Sequence, residues 1–596
     1  MPGGFGPPAW QGAPALRESL PYRAIVAVDA EFKVTSGGHP EPICLVATDM
    51  LSGTTYRLNT TDLRQLKAPP YPHGPDTLTV AYYASAEWQC YLALGWPLPE
   101  NVLDLFAEFR NVTNGRRSPL GDKLLAALTY YGLDGMAVAE KKAMQALAAR
   151  GGPYTEAEEA ALIDYCGADV DALVKLLPRI LPDILAASGL PRALLRGRYT
   201  RAVAHMEYTG IPVDVATLAL LRAHWSTIKA ELVARINPLY GVYDGTSFRA
   251  DRFMAWLAAR RIPWPLTPTG RPKLDDDTFR EMAQAYPELA MLQQLRATMS
   301  QMRLHDLAVG DDGRNRTMLS MFRALTGRNA PSTTAFIFGP AVWLRALITP
   351  LPGRALAYVD WSQQEFGIAA ALSGDRAMLL AYASGDPYLA FAKQAGVVPP
   401  DGTRAQYEVE REIFKSCVLA VQYLMGAEAF ARRINVSLMR AQELLRLHRV
   451  TYPTFWAWSD RVVDHAMLRN SLHTAYGWTV HVGPETNPRT LRNFPMQANG
   501  AEMLRLACCL TTEAGIAVCA PVHDALLIEA PVGEIHHAVA RTQAAMAEAS
   551  DIVLGGFRLR SEAKIIVPGE RYVDKRGVAM WNTVTEILAG SGHNIR

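Results

Sequence analysis

No apolar run in the chain approaches the ~18 residues that a helical membrane span requires, and no membrane partner is expected. Cysteine is scarce, seven in 596 residues, odd in number and without a single CxxC spacing. That argues against a disulfide framework and against a zinc site, and it favours a reducing compartment. The opening "MPGGFGPPAWQGAPALRES" has no signal-peptide core and too few arginines for a transit peptide; its proline and glycine predict a flexible leader over residues 1–20. Internal repeats are missing, as is low complexity beyond the leader. Net charge is only +2, but it is unevenly spread. Residues 1–190 carry 15 Lys+Arg against 21 Asp+Glu, and residues 191–596 carry 45 against 37. The larger part could favour a polyanion, although ordinary surface variation gives such a balance as readily.

About half the residues are apolar, and the chain is too long for one core, so at least two domains are expected. "YRAIVAVDAEFKV" reads as a strand with "EPICLVATDM" as its hairpin partner. Helical patterns follow in "KLLAALTYYGL" and in the long stretch from "EAEEAALIDYC" to "LPDIL". This is an α/β order, and the proline and glycine of "LPDILAASGLPRALL" mark a boundary near 190. Residues 191–310 read as mostly helical, 376–470 as helical again, and "RLRSEAKIIV" returns to strand.

Two polar interruptions of apolar strands carry the chemistry. In "RALAYVDWSQQEF" (354–366) a buried-type strand runs into Asp360, with Glu365 soon after. In "PVHDALLIEAP" (521–531) His523 and Asp524 sit between two apolar segments, as in a tight hairpin with Asp524 at its turn. One such Asp is ordinarily a turn residue. Two on neighbouring strands could bridge two divalent ions ~3.5–4 Å apart, the arrangement for phosphoryl transfer. Between them, "REIFKSCVLAVQYLMG" spaces Arg411, Lys415, Leu419 and Tyr423 by four. On a helix this is one stripe, suited to gripping phosphates at one end and stacking a base at the other, or simply an amphipathic face.

Together these segments resemble family A DNA polymerases of the bacterial DNA polymerase I group: "DWSQQEF" resembles motif A, "REIFKSCVLAVQYLMG" motif B and "VHD" motif C. "HMEYTGIPVD" (205–214), "LTGRNAP" (325–331) and "PRTLRNFPMQANGAEMLRLA" (488–507) resemble three further family segments, in the same order. The resemblance implies a thumb-palm-fingers polymerase domain over 191–596: thumb about 191–320, palm about 321–375 and 471–596, fingers about 376–470. It implies two magnesium ions, or manganese in their place, on Asp360 and Asp524. Glu365 becomes a gate against a 2′-hydroxyl. Gln363, Arg411, Lys415, Leu419 and Tyr423 become nucleotide contacts. Arg328, Arg489, Asn493, Gln497 and His523 become DNA contacts; donors suit the minor groove, where every base pair offers acceptors. The implied partners are primer-template DNA and deoxynucleoside triphosphates, for a monomer in the bacterial cytoplasm, host- or phage-encoded. The chain resembles a large fragment with no 5′-nuclease domain upstream. It departs from the family at Leu419, where an aromatic is usual, at Ala420 and Leu424 for glycines, at Ala525 for Glu, at Gly367 for Arg and at Tyr388 for His. Unusual nucleotide handling is therefore expected.

In the first domain, Asp29 and Glu31 share one face of a strand end, opposite Val26, Val28 and Ala30. Tyr165 and Asp169 stand i, i+4 on a helix. These resemble the DEDD-type 3′–5′ exonuclease domain, ribonuclease H-like in fold, over 21–190. Glu87 stands where the family has Asp, Tyr83 where it has Asn, and Asp104 is a substitute ligand. Asp29, Glu31, Glu87 and Asp169 would hold two magnesium ions, with Tyr165 orienting water; Asp171 reads as a solvated helix residue. The expected protein is a proofreading DNA polymerase acting in replication or repair. Its rivals are an exonuclease whose polymerase half only binds DNA, a single-subunit RNA polymerase, disfavoured by Glu365, and a non-catalytic scaffold.

Overall fold

The structure, a computed structural model, describes residues 13–590 and 592 apart from 117–119, 135–137, 268, 302–303, 340, 423–424 and 435. Residues 1–12 of the expected leader and Tyr423 and Leu424 of the motif-B stripe lie outside the described residues. The rest of the leader is not loose. Ala13–Ser19 is helical, and Leu16 and Leu20 are buried in the first core.

That core is built on a five-stranded sheet: β1 (Ala24–Lys33), β2 (Glu41–Asp49), β3 (Thr54–Leu58), β4 (Thr77–Ala81) and β5 (Asn101–Asp104), in the order β3-β2-β1-β4-β5. β1, β2 and β3 pair antiparallel, and β1, β4 and β5 pair parallel. Alternation along β1 works as the sequence indicates. Val26, Val28 and Ala30 enter one core and Ile25 and Ala27 the other. Helices α1 (Ser85–Leu94), α2 (Leu105–Thr113), α3 (Val138–Arg150) and α4 (Glu156–Ala187) cover the sheet. α4 starts at a capping box between Thr155 and Glu158, then buries Leu162, Cys166, Val170, Leu173 and Leu177 at helical spacing. It stops at Ser188–Gly189, within the proline- and glycine-punctuated stretch. Gly189 has φ 77°. α5 (Leu190–Thr209) then packs on β5 so closely that a Cβ on Gly197 would sit 1.8 Å from the Val102 carbonyl oxygen.

Beyond α5, helices occupy most of 215–301, and a second sheet follows. Its strands are β6 (Arg354–Trp361), β7 (Ala517–Val522), β8 (Ala525–Pro531) and β9 (Ser561–Ile566), all antiparallel, ordered β7-β8-β6-β9. Helices α6 (Gln364–Ser373), α7 (Glu408–Gln422) and α8 (Pro488–Glu513) surround it. The two parts are joined by buried polar contacts. Arg196 pairs with Glu108 at 2.6 Å, their side chains 3% and 1% exposed, and Arg196 also donates to the Tyr476 carbonyl. Thr479 N donates to Asn111 Oδ1 at 2.7 Å, and Asn114 Nδ2 to the Thr479 carbonyl at 2.8 Å. All seven cysteines are buried and free, and no described helix is long and apolar enough to cross a membrane.

Candidate active sites

The hairpin expected at 521–531 forms, and β8 pairs with β6 so that Asp360 faces Ala525. Asp524 therefore lies at the turn beside the end of β6, and Trp361 N donates to its carbonyl at 3.3 Å. The turn is made by His523, exposed and left-handed with φ 58°. Burial, then the neighbouring Asp524 and Glu562, push the Asp360 carboxyl up to about 8; burial also raises Asp524. Asp360 Oδ1 is buried without a hydrogen-bond partner in the described structure. Two crowded carboxylates with an orphaned oxygen are a donor set that fits magnesium or manganese.

After β6 the chain turns at Gln363, φ 49°, and enters α6 with Glu365 in its first turn. Burial raises the Glu365 carboxyl, opposed by Arg328, 3.8 Å away. Arg328 and His523 line a cavity of about 430 Å³ with Asn329, Phe336, Arg505 and Val522. On α8, Arg489 is exposed while Asn493 and Gln497 are half-buried one and two turns on; Asn493 Oδ1 has no described partner. On α7, Arg411, Lys415 and Leu419 do share a stripe, but Arg411 is not a free cation. It is buried, pairs with Asp386 at 2.5 Å and with Glu412, and lies 5.5 Å from the Tyr388 ring centre. Lys415 reaches Glu412 at 3.4 Å.

In the first sheet, Asp29, Glu31 and Asp169 bring carboxylate oxygens within 4.8 Å of one another. Glu87 lies in α1, 4% exposed. Burial and then mutual repulsion push Asp29 up to about 7, Glu31 up to about 9 and Glu87 well above its ordinary range. Asp29 Oδ2 and Glu87 Oε2 are buried without described partners, so this set too fits hard divalent cations. Tyr165 is buried one turn before Asp169 on α4, and Asp171 is exposed. Asp104 is corrected as a substitute ligand. It caps α2, accepting from Phe106 N and Ala107 N, and it also accepts from Tyr83 N and Ala84 N, so its oxygens are committed to the backbone.

Sequence reasoning missed four charged residues at these centres. Glu562, on β9, is registered opposite Asp360 and accepts from Ser362 Oγ at 3.0 Å. Lys141, on α3, donates to both oxygens of Asp169 at 3.2 and 2.8 Å. Asp386 and Glu412 are the counter-ions of Arg411. Only the adjacency of Glu412 to Arg411 was visible in one dimension; the other three arrive by strand pairing or helix packing.

The model of DNA polymerase family A matches residues 267–565, half of the chain, including the strand that carries Asp360 and the hairpin turn that carries Asp524. The chain belongs to that family. It is 24% identical over 377 residues to the thermostable DNA polymerase I of Thermus caldophilus, covering 59% of this chain and 45% of that protein. It is 25% identical over 332 residues to DNA polymerase I of Aquifex aeolicus, covering 53% and 55%. It is 27% identical over 207 residues to a DNA polymerase of Mycobacterium phage L5, covering 34% and 33%. The matched stretches thus span about half or less of these relatives. Among solved structures, the POL domain of Pol1 from M. smegmatis, in complex with DNA primer-template and dNTP, superposes with TM-score 0.71 at 20% identity. It covers 93% of this chain and 97% of that one, a likeness of fold.

Proposed function

We propose that this family A chain is a template-directed DNA polymerase that extends a primer 3′-hydroxyl with deoxynucleoside triphosphates, and that its first domain is a 3′–5′ proofreading exonuclease. The observation that carries the polymerase reading is the pairing of β6 with β8, which sets Asp360 beside Asp524. The strand order β3-β2-β1-β4-β5, with two antiparallel and two parallel pairings, supports a ribonuclease H-like exonuclease domain over 21–190. The antiparallel sheet with its flanking helices supports a palm about 321–375 and 471–596, fingers about 376–470 and a thumb about 191–320. The chain acts as a monomer.

Asp360 and Asp524 would hold magnesium, or manganese in its place, and such ions when bound activate the primer hydroxyl and neutralise charge on the triphosphate. Glu365, held toward the site by Arg328, crowds a 2′-hydroxyl and so excludes ribonucleotides. Gln363 shapes the turn that presents it. Lys415, within 3.4 Å of Glu412, is the phosphate contact on α7, and Arg411, fixed by Asp386 and Glu412, anchors that helix face beside it. Leu419 stands one turn further along, and the nucleotide-contact role of Tyr423 rests on the motif-B resemblance alone. Arg328, Arg489, Asn493, Gln497 and His523 present donors to the primer-template. In the exonuclease, Asp29, Glu31, Glu87 and Asp169 would hold the cations, which when bound would activate a water, and Tyr165 would orient that water.

A 5′-labelled primer on a longer template, incubated with magnesium, tests both halves. Lengthening with dNTPs and shortening without them is the expected result. Shortening in both conditions leaves only the nuclease, and no change with DNA bound refutes both activities.

A further inference from the structure

Three carboxylates, Asp29, Glu31 and Asp169, converge in the first domain with Glu87 close enough to be repelled by them, yet one cation pairs with this group among the described residues. Lys141 reaches across from α3 and places its ammonium against both oxygens of Asp169, at 3.2 and 2.8 Å. The pair is shielded, its side chains 27% and 14% exposed, and the ammonium lies 5.5 Å from the Tyr165 ring centre. Asp29, Glu31 and Glu87 have no described ion-pair partner of their own. Asp29 Oδ2 and Glu87 Oε2, the latter on a residue only 4% exposed, have no hydrogen-bond partner among the described residues.

We propose that Lys141 is the resident counter-ion of this centre and competes with a divalent cation for Asp169. The inference rests on reading these carboxylates as the exonuclease metal site. A lysine ammonium is a point charge on a flexible stem, with three donors and no acceptor. It satisfies both Asp169 oxygens at once, so a cation ligated by Asp169 must displace it. The stem lets it leave without disturbing α3. The ordered cost of that displacement falls on metal binding and not on the later chemical step. At the polymerase carboxylates no described Lys or Arg pairs with Asp360 or Asp524, so that centre takes its metal without such a competitor. The exonuclease therefore requires more metal than the polymerase, and falling metal concentration favours synthesis over removal.

Lys141 is a positioning residue in this account, and metal binding is its direct readout. Manganese binding to the full chain is followed by electron paramagnetic resonance in an Asp360→Asn/Asp524→Asn background, which silences the second centre. Lys141→Gln is expected to tighten manganese about tenfold. Lys142→Gln, which removes the same charge from the exposed neighbour, leaves affinity unchanged. In the same background, the magnesium concentration for half-maximal primer shortening falls in parallel for Lys141→Gln. A second measurement needs no variant: amine acylation of Lys141, read by mass spectrometry, rises several-fold when manganese expels the ammonium from Asp169. Equal or weaker manganese affinity in Lys141→Gln, or Lys141 acylation indifferent to manganese, overturns the proposal. If the background protein neither binds manganese nor shortens a primer, the exonuclease reading itself fails.

Discussion

At the end of β6, Asp360 and Asp524 face each other with no described cation in ion-pair range; at the end of β1, Asp29 and Glu31 share a neighbour, Asp169, already joined to Lys141. Both centres arise the same way. A buried apolar strand ends in a carboxylate, and a second element delivers another beside it. Burial and mutual repulsion then raise the carboxyls in both. They differ in what delivers the partner. A two-residue turn fixes Asp524 within the same sheet, whereas Asp169 and Glu87 come from separate helices. The first arrangement depends on strand register, the second on helix packing.

The largest effect separates the two centres outright. Asp524→Ala should lower primer extension by about 10³-fold or more while leaving primer shortening intact, and Asp29→Ala should do the converse. Neither substitution removes a partner of the buried Arg196–Glu108 pair, so each variant should keep the fold, as circular dichroism would verify. Loss of both activities in either variant would collapse the comparison into one shared centre.

Next in size is selectivity, which only the β6 centre is expected to show. Glu365 is fixed in the first turn of α6 with Arg328 at 3.8 Å. Glu365→Ala should change the ratio of deoxynucleotide to ribonucleotide incorporation by about 10²-fold in favour of ribonucleotides. Single-nucleotide kcat/KM values for dATP and ATP measure it. An unchanged ratio removes Glu365 from the gate.

How far these centres were legible in the sequence follows from the same contrast. Asp360, Asp524, Asp29 and Glu31 stand out because apolar runs break at them, and the two-residue period of a strand fixes their faces. Asp104 misled because a helix cap and a metal ligand are both exposed by the same letter; only four backbone donors distinguish them. Lys141, Glu562 and Asp386 were invisible, since nothing in one dimension brings residues 141 and 169, or 360 and 562, together. The leader misled at its end: proline at position 14 serves as the start of a helix whose leucines are buried, not as a mark of disorder.

Acidity should separate the centres by a smaller margin. Asp29 is raised to about 7 and Glu31 to about 9 in the folded, metal-free protein, above the ordinary carboxylate range. Between about pH 4 and 9 the folded state keeps protons that the unfolded chain has lost. Metal-free stability therefore falls as pH rises through that window, by about 1.4 kcal/mol per pH unit for each such proton. Melting in EDTA at pH 5.5 and 8 should show the fall. Magnesium should restore stability at pH 8, and Asp29→Asn with Glu31→Gln should flatten the profile more than Asp360→Asn does, because more carboxylates share the β1 centre.

The smallest effect belongs to the nucleotide side of the β6 centre. Leu419 stands on α7 two turns beyond Arg411, half-buried, where the family usually carries an aromatic. On the proposed reading, an aliphatic side chain there would contact less of an incoming sugar than a ring, and would read the missing 3′-hydroxyl of a dideoxynucleotide differently. Leu419→Phe should shift the dideoxy-to-deoxy incorporation ratio by about tenfold, the low end of what one added apolar contact commands. The β1 centre supplies the control, since primer shortening by the same variant should stay as it was. A ratio unmoved by Leu419→Phe would mean that α7 approaches the sugar through another residue of its stripe, and Lys415, one turn before Leu419 and paired with Glu412, would be the next to substitute.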